Sequence, residues 1–155
     1  MKTVIQRVSR AQVSVDGEVV GRIDRGIMAL VGVERGDAAA DAFATARKLA
    51  SLRIFPGAKA MDRSLIDVGG SALVISQFTL AGTVRKGRRP SFNNAEQPER
   101  ADELYQIVAR ELAAQGIPTE TGRFGANMQV ELVNDGPVTI MVFAREGQIV
   151  DPSSS

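Results

Sequence analysis

The sequence predicts an α+β fold: two packed, mainly antiparallel β-sheets of barrel-like form, with a layer of helices on one side. Three observations carry that expectation. Short runs of alternating or continuously apolar residues recur along the chain. Asp16-Gly17 joins two of these runs and is a strong hairpin signal, because glycine tolerates the positive φ that such a turn requires. Two longer stretches, at about 38–51 and 98–115, repeat apolar residues at helical spacing.

Residues 3–8 alternate apolar and polar and read as a strand, and 11–15 and 18–23 read as two more. The continuously apolar 27–33 suggests a strand buried on both faces. Ala39, Phe43, Ala46 and Ala50 then mark a helix, with Asp37 as the expected N-cap. Residues 52–55 form a short strand candidate, and 56–70, rich in Gly, Pro and mixed charge, read as a loop. Residues 72–80 begin as a buried strand and turn polar. A loop over about 81–97 leads to a second helix that has Pro98 in its first turn and Gly116 just past its end. Its apolar stripe is Ala101, Leu104, Tyr105, Val108 and Leu112. Residues 128–133 and 138–144 are expected to form a final pair of strands.

A chain of 155 residues suits a single domain, placed at 1–145, and its 44% apolar content is enough for a real core. Residues 146–155 are polar, end in three serines and are expected to be a disordered tail. No apolar run approaches a membrane span, and the first residues lack the apolar core of a secretory signal, so a cytoplasmic location is the expectation.

Two absences narrow the chemistry. With no cysteine there is no disulfide, thiolate nucleophile or sulfur-bound metal. With no histidine, the usual general base near neutral pH is missing, and with it the Ser-His-Asp arrangement and most zinc sites. No carboxylate cluster has metal-ligand spacing, so neither a metal nor a cofactor is implied. The net charge of +1 rules out a wholly basic nucleic-acid coat, and any RNA contact must come from a local patch.

Three segments depart from a generic domain. Ser76-Gln77-Phe78-Thr79 places two hydroxyls and an amide at the end of a buried strand, where the sheet would hold them rigidly. Asn134-Asp135-Gly136-Pro137-Val138-Thr139 reads as an ordinary turn with proline at a strand entrance, and nothing in its spacing fixes a cis bond. Arg85, Lys86, Arg88 and Arg89 put four cations into five residues of a Gly/Pro loop, either simply solvated or able to grip phosphates.

With Ile5-Gln6-Arg7-Val8, Arg89-Pro90-Ser91-Phe92 and Thr121-Gly122-Arg123-Phe124-Gly125-Ala126, these segments closely resemble the D-aminoacyl-tRNA deacylase family, over residues 1–144. The resemblance implies a homodimeric hydrolase that cleaves the ester of tRNA carrying a D-amino acid or glycine. It implies a cis Gly136-Pro137 loop that enters the partner's site and excludes L side chains by steric clash, with Arg7 holding that loop. Relatives with a trans Gly-Pro act on L-alanyl-tRNA, and Arg7 favours the D-selective type. A non-catalytic RNA-binding module is a third reading.

Gln77 and Thr79 are the catalytic candidates. Ser76, Phe78, Phe124, Met128, Gly136 and Pro137 are candidates for the substrate pocket, with plain core packing the stronger reading of Met128. A hydroxyl without a base is a poor nucleophile, and neither motif supplies one in an obvious place. Positioning and electrostatics, helped by the substrate's own 2′-hydroxyl, are therefore expected to carry the reaction.

Overall fold

The computed structural model describes residues 1–152. Among these, seven strands form one continuous sheet: β1 (Lys2–Val15), β2 (Glu18–Ile23), β3 (Gly26–Gly32), β4 (Ser71–Ser76), β5 (Thr119–Thr121), β6 (Gln129–Arg145) and β7 (Gln148–Val150). The order across the sheet is β5-β4-β3-β1-β6-β7, with β2 pairing separately to β1. Pairings β1–β2, β1–β3, β1–β6 and β6–β7 are antiparallel, whereas β3–β4 and β4–β5 are parallel.

The two packed layers expected from the sequence are two arms of this one sheet. The first half of β1 pairs with β3 and the second half with β2, so the sheet curls where β1 changes partners. The curl brings β2 over β4 and β5: a Cβ added at Gly21 would lie 2.6 Å from the Thr121 carbonyl oxygen and 3.1 Å from Leu73. Inside it, Val8, Val13, Ile23, Met28, Leu73 and Ile75 form a closed cluster.

The opposite face carries the intervening residues, Ile5, Ile27, Ala29, Val31, Ala72 and Val74, packed beneath helices α1 (Ala39–Ser51) and α2 (Pro98–Ala114). This period-two split is what a sheet buried on both sides requires. The α2 stripe read from the sequence is buried in full, and burying a side chain such as Leu104 contributes about 1.5–3 kcal/mol.

Several boundaries differ from expectation. Residues 3–8 and 11–15 belong to one strand, whose pairing with β6 shifts register between Gln6 and Val8 and again around Ser9. Ala38, not Asp37, is the N-cap of α1. Asp41 reaches back to the Ala38 amide at 2.9 Å, while Asp37 accepts bonds from the Met1 amino group at 2.7 Å and the Glu34 amide at 2.7 Å. The strand expected at 52–55 is a single bridge between Phe55 and Arg63. β4 stops at Ser76 and gives way to a short 3-10 turn, Phe78–Ala81.

The final pair of strands is one strand, β6. Its register passes from Thr139 opposite Gln6 to Asn134 opposite Val8, so Asp135–Val138 bulge out opposite Arg7 alone. The tail expected to be disordered turns back at Glu146-Gly147, pairs as β7 with Phe143–Arg145, and is anchored by the Gly147 amide on Asp41 at 2.9 Å. Residues 153–155 of that tail lie outside the described residues.

Candidate active site

β4 delivers the first motif. The Gln77 amide donates to the Val31 carbonyl at 2.8 Å, prolonging the ladder one residue beyond Ser76. The chain then tightens: the Leu80 amide reaches the Gln77 carbonyl at 3.2 Å and the Gly82 amide reaches the Thr79 carbonyl at 3.0 Å. Within this turn the Gln77 side-chain amide donates to the Thr79 hydroxyl. Phe78 is thrown outward, 56% exposed, and meets Phe92 edge-on at 5.2 Å between ring centres.

Beside this turn lies a cavity of about 460 Å³. Ser76, Gln77 and Phe78 form one wall, and Phe124, Gly125, Ala126 and Met128 form another. The start of α2, with Ala95 and Glu96 just before it, completes the lining. Phe124 is held from behind by Tyr105, 6.0 Å away between ring centres. Burial pushes the Tyr105 phenol above its ordinary value, so it remains protonated at neutral pH and offers no base. Met128 packs partly on the inner cluster, with its sulfur 2.7 Å from where a Cβ at Gly122 would stand. Among the described residues, no carboxylate or amine hydrogen-bonds to Ser76 or Thr79.

The second motif sits elsewhere. The Gly136-Pro137 peptide is cis, and both residues are exposed on the β6 bulge. The buried Arg7 grips the bulge from below: its Nε donates to the Asp135 carbonyl at 2.8 Å and its Nη1 to the Ile54 carbonyl at 2.7 Å. Asn134 closes the bulge, accepting from the Val138 amide at 2.7 Å and donating to the Thr139 hydroxyl at 2.9 Å. Neither Gly136 nor Pro137 lines the cavity of its own chain, and Thr79 reaches it only through Gln77.

The third motif is an exposed arm carrying Arg85, Lys86, Arg88 and Arg89. Paired backbone bonds between Thr83 and Ser91, at 2.8 and 2.9 Å, close it, and Phe92 ties its base to Phe78 at the cavity mouth. Among the described residues its four cations make no ion pair within 4.0 Å. Phosphates approaching the cavity would therefore meet unneutralised charge.

A family model described as D-Tyr-tRNA(Tyr) deacylase matches residues 4–143. This chain belongs to that deacylase family. Among its relatives, a D-aminoacyl-tRNA deacylase of Koribacter versatilis (strain Ellin345) is 52% identical over 147 residues, covering 94% of this chain and 99% of that one. One of Thermomicrobium roseum (strain ATCC 27502 / DSM 5159 / P-2) is 56% identical over 147 residues, covering 94% and 96%. Among solved structures, one titled c-Myc DNA Unwinding Element Binding Protein superposes with a TM-score of 0.88 at 39% identity, covering 94% of this chain and 99% of that one. A probable eukaryotic D-amino acid tRNA deacylase superposes with a TM-score of 0.76 at 20% identity, over 90% of this chain and 97% of that one, and shares the fold.

In this deacylase chain, then, one cavity gathers Ser76, Gln77, Phe78, Phe124 and Met128. Sequence reasoning missed Ala95, Glu96, Pro98 and Ala101, which line the same space. They stand at an unremarkable loop-to-helix junction, and it is the Glu34–Ala95 bridge and the Glu96 amide on the Val33 carbonyl that bring them to the site. Among the described residues no helix is long and apolar enough to cross a membrane.

Proposed function

We propose that this chain hydrolyses the ester linking a D-amino acid, or glycine, to the terminal adenosine of tRNA, releasing the amino acid and free tRNA. The family match over 4–143 carries the reading, and the convergence of Ser76, Gln77 and Phe78 on one cavity supports it. Among the described residues no carboxylate or amine hydrogen-bonds to the Gln77–Thr79 pair, so its hydroxyl lacks the base that a nucleophile needs. Its part is to orient the ester, while backbone amides of the turn stabilise the developing oxyanion and the substrate's 2′-hydroxyl assists water attack.

Selection works by exclusion. In a homodimer, the Gly136-Pro137 bulge of one copy closes the cavity of the other, and its carbonyls leave no space for an L side chain. Glycine, lacking a side chain, passes the same filter. The reading is supported by a bulge that is exposed, anchored by Arg7 and absent from the lining of its own chain's cavity. The basic arm from Arg85 to Arg89 holds the acceptor end of the RNA. The reaction would take place in the cytoplasm, where charged tRNA is found.

The test is incubation with D-tyrosyl-, L-alanyl- and L-tyrosyl-tRNA, together with light scattering. Rapid release from the D substrate alone, by a dimer, is expected. Turnover of L-alanyl-tRNA would move the chain to the L-selective branch, and RNA binding without turnover would make it a binding module.

A further inference from the structure

The amino group of Met1 is an interior group, on a residue only 1% exposed. Two of its three protons are committed, one to Asp37 Oδ1 at 2.7 Å and one to the Ala144 carbonyl at 2.8 Å. The Ala144 amide returns a bond to the Met1 carbonyl at 2.9 Å, so the pair carries the β1–β6 ladder to the first residue. Beyond them stands Glu34, whose Oε1 lies 3.8 Å from the ammonium, is buried and has no hydrogen-bond partner among the described residues. Lys2 and Arg145 share that carboxylate at 3.6 and 3.7 Å. The Met1 side chain is held too: it packs in the core with Ala42 and Ala46 of α1, and the Thr45 hydroxyl donates to its sulfur at 3.5 Å.

An acyl group on this nitrogen would undo the arrangement. An amide nitrogen is planar, uncharged and carries one hydrogen, so either Asp37 or Ala144 would lose its donor. The added carbonyl oxygen would stand among oxygens that accept and cannot donate. Burial already pushes the Asp37 carboxyl above its ordinary value, and the bond from the Met1 ammonium is the largest opposing influence. The same turn backs the cavity. Asp37 accepts the Glu34 amide at 2.7 Å, Glu34 bridges to Ala95, and the Arg35 amide donates to the Asn94 carbonyl at 2.9 Å.

We propose that the Met1 niche is a recognition site for an unblocked α-ammonium, and that this fold depends for its stability on hydrolytic removal of the formyl group left on Met1 by initiation. In that step water adds to the formamide carbonyl and the C–N bond breaks. Formate leaves, and the proton that formic acid gives up converts the amine into the ammonium that Asp37 and Ala144 bind. The order of events matters. Ala144 lies near the end of β6 (Gln129–Arg145), so the nitrogen stays open to a deformylating enzyme until that strand is made, and docking of the strand then encloses it.

The experiment is cell-free synthesis of the full chain from a formylated initiator, with a purified peptide deformylase added during synthesis, after folding or not at all. Mass spectrometry reads the state of Met1. The chain deformylated during synthesis should melt about 10 °C above the formylated one, since in the latter a buried carboxylate has lost its partner. A formylated chain that stays insoluble while the deformylated one folds gives the same support in stronger form. In Asp37→Asn the side-chain amide can donate to the formyl oxygen, so the difference in Tm between the two forms should shrink to less than about half. Equal Tm for the two wild-type forms would overturn the proposal. So would a formyl penalty undiminished in Asp37→Asn, or rapid deformylation of the folded chain, which would show that the nitrogen is not enclosed.

Discussion

Replacing Arg7 by methionine tests whether the Gly136-Pro137 bulge is held from beneath. The guanidinium is 9% exposed and bonds two carbonyls from distant parts of the chain, Ile54 and Asp135, at 2.7 and 2.8 Å. A hydrogen bond from a charged donor contributes about 1.5–3 kcal/mol, so the two together give roughly 3–6 kcal/mol before the cost of burying the charge. Methionine fills similar space without that cost, which leaves a net destabilisation of about 2–4 kcal/mol. Most of it should come from the Ile54 carbonyl, whose bond is buried, because the exposed Asp135 can turn to water. Urea unfolding reads the stability, and D-tyrosyl-tRNA turnover reads the bulge. Arg7→Lys keeps the charge but loses the fork, so it should hold only one carbonyl and fall between the two. A loss below about 0.5 kcal/mol in Arg7→Met with turnover unchanged would refute the reasoning, since surface substitutions alone stay in that range.

Other expectations can be checked in parallel. In Gly136→Ala the new methyl would stand 2.9 Å from Val138 and 3.0 Å from Arg7 at φ +141°, a strain of about 1–3 kcal/mol that the exposed bulge would relieve by moving. Deacylation should therefore drop at least tenfold with little change in the unfolding midpoint. Thr79→Val removes the hydroxyl that Gln77 donates to and should lower kcat without abolishing it, with no acyl-enzyme trapped by acid quench. Neutralising Arg85, Lys86, Arg88 and Arg89 together should reduce the slope of log K against log salt for tRNA binding by up to about 3, read by filter binding. The Asp67 carboxyl is held below its ordinary value mainly by the Ser64 backbone amide, whose bond to it measures 2.9 Å. Its contribution is therefore present above about pH 3.8 and lost as pH falls through the lower folded value. Asp67→Asn should lower the urea midpoint at pH 7, and the difference from wild type should close towards pH 2.

Legibility in the sequence followed the range of the forces involved. The α2 stripe, the Asp16-Gly17 hairpin and the polar end of β4 are set by neighbours a few residues away, and each was readable. The bulge in β6 was not, because a Gly-Pro pair beside Asn-Asp has the composition of a hairpin turn. What keeps it within one strand is the pairing of both its flanks to β1 around Arg7, more than a hundred residues earlier. The last turn failed for a similar reason: Ile149 and Val150 are too short an apolar run to announce a strand, and the order of this segment comes from the edge of β6 and the carboxylate of Asp41. Asp37 was misread as a helix cap because its sequence position suits one, whereas in space it faces the Met1 amino group. At the site, Ser76, Gln77 and Phe78 stood out as a polar end to an apolar strand. Glu96 had no such contrast and became visible only through the cavity it lines.

The pairing of β1 with both β3 and β6 also bears on how the chain is made. β1 leaves the ribosome just ahead of β2 and β3 and can pair with them within moments. Its other edge waits for β6, from Gln129 onward, which at ~5–20 residues per second arrives on the order of ten seconds later. Throughout that interval a 14-residue strand offers one open row of amides and carbonyls, the kind of edge that recruits foreign strands. Nascent chains stalled before Gln129 should therefore engage holdase chaperones and aggregate when released, while those stalled beyond Arg145 should not.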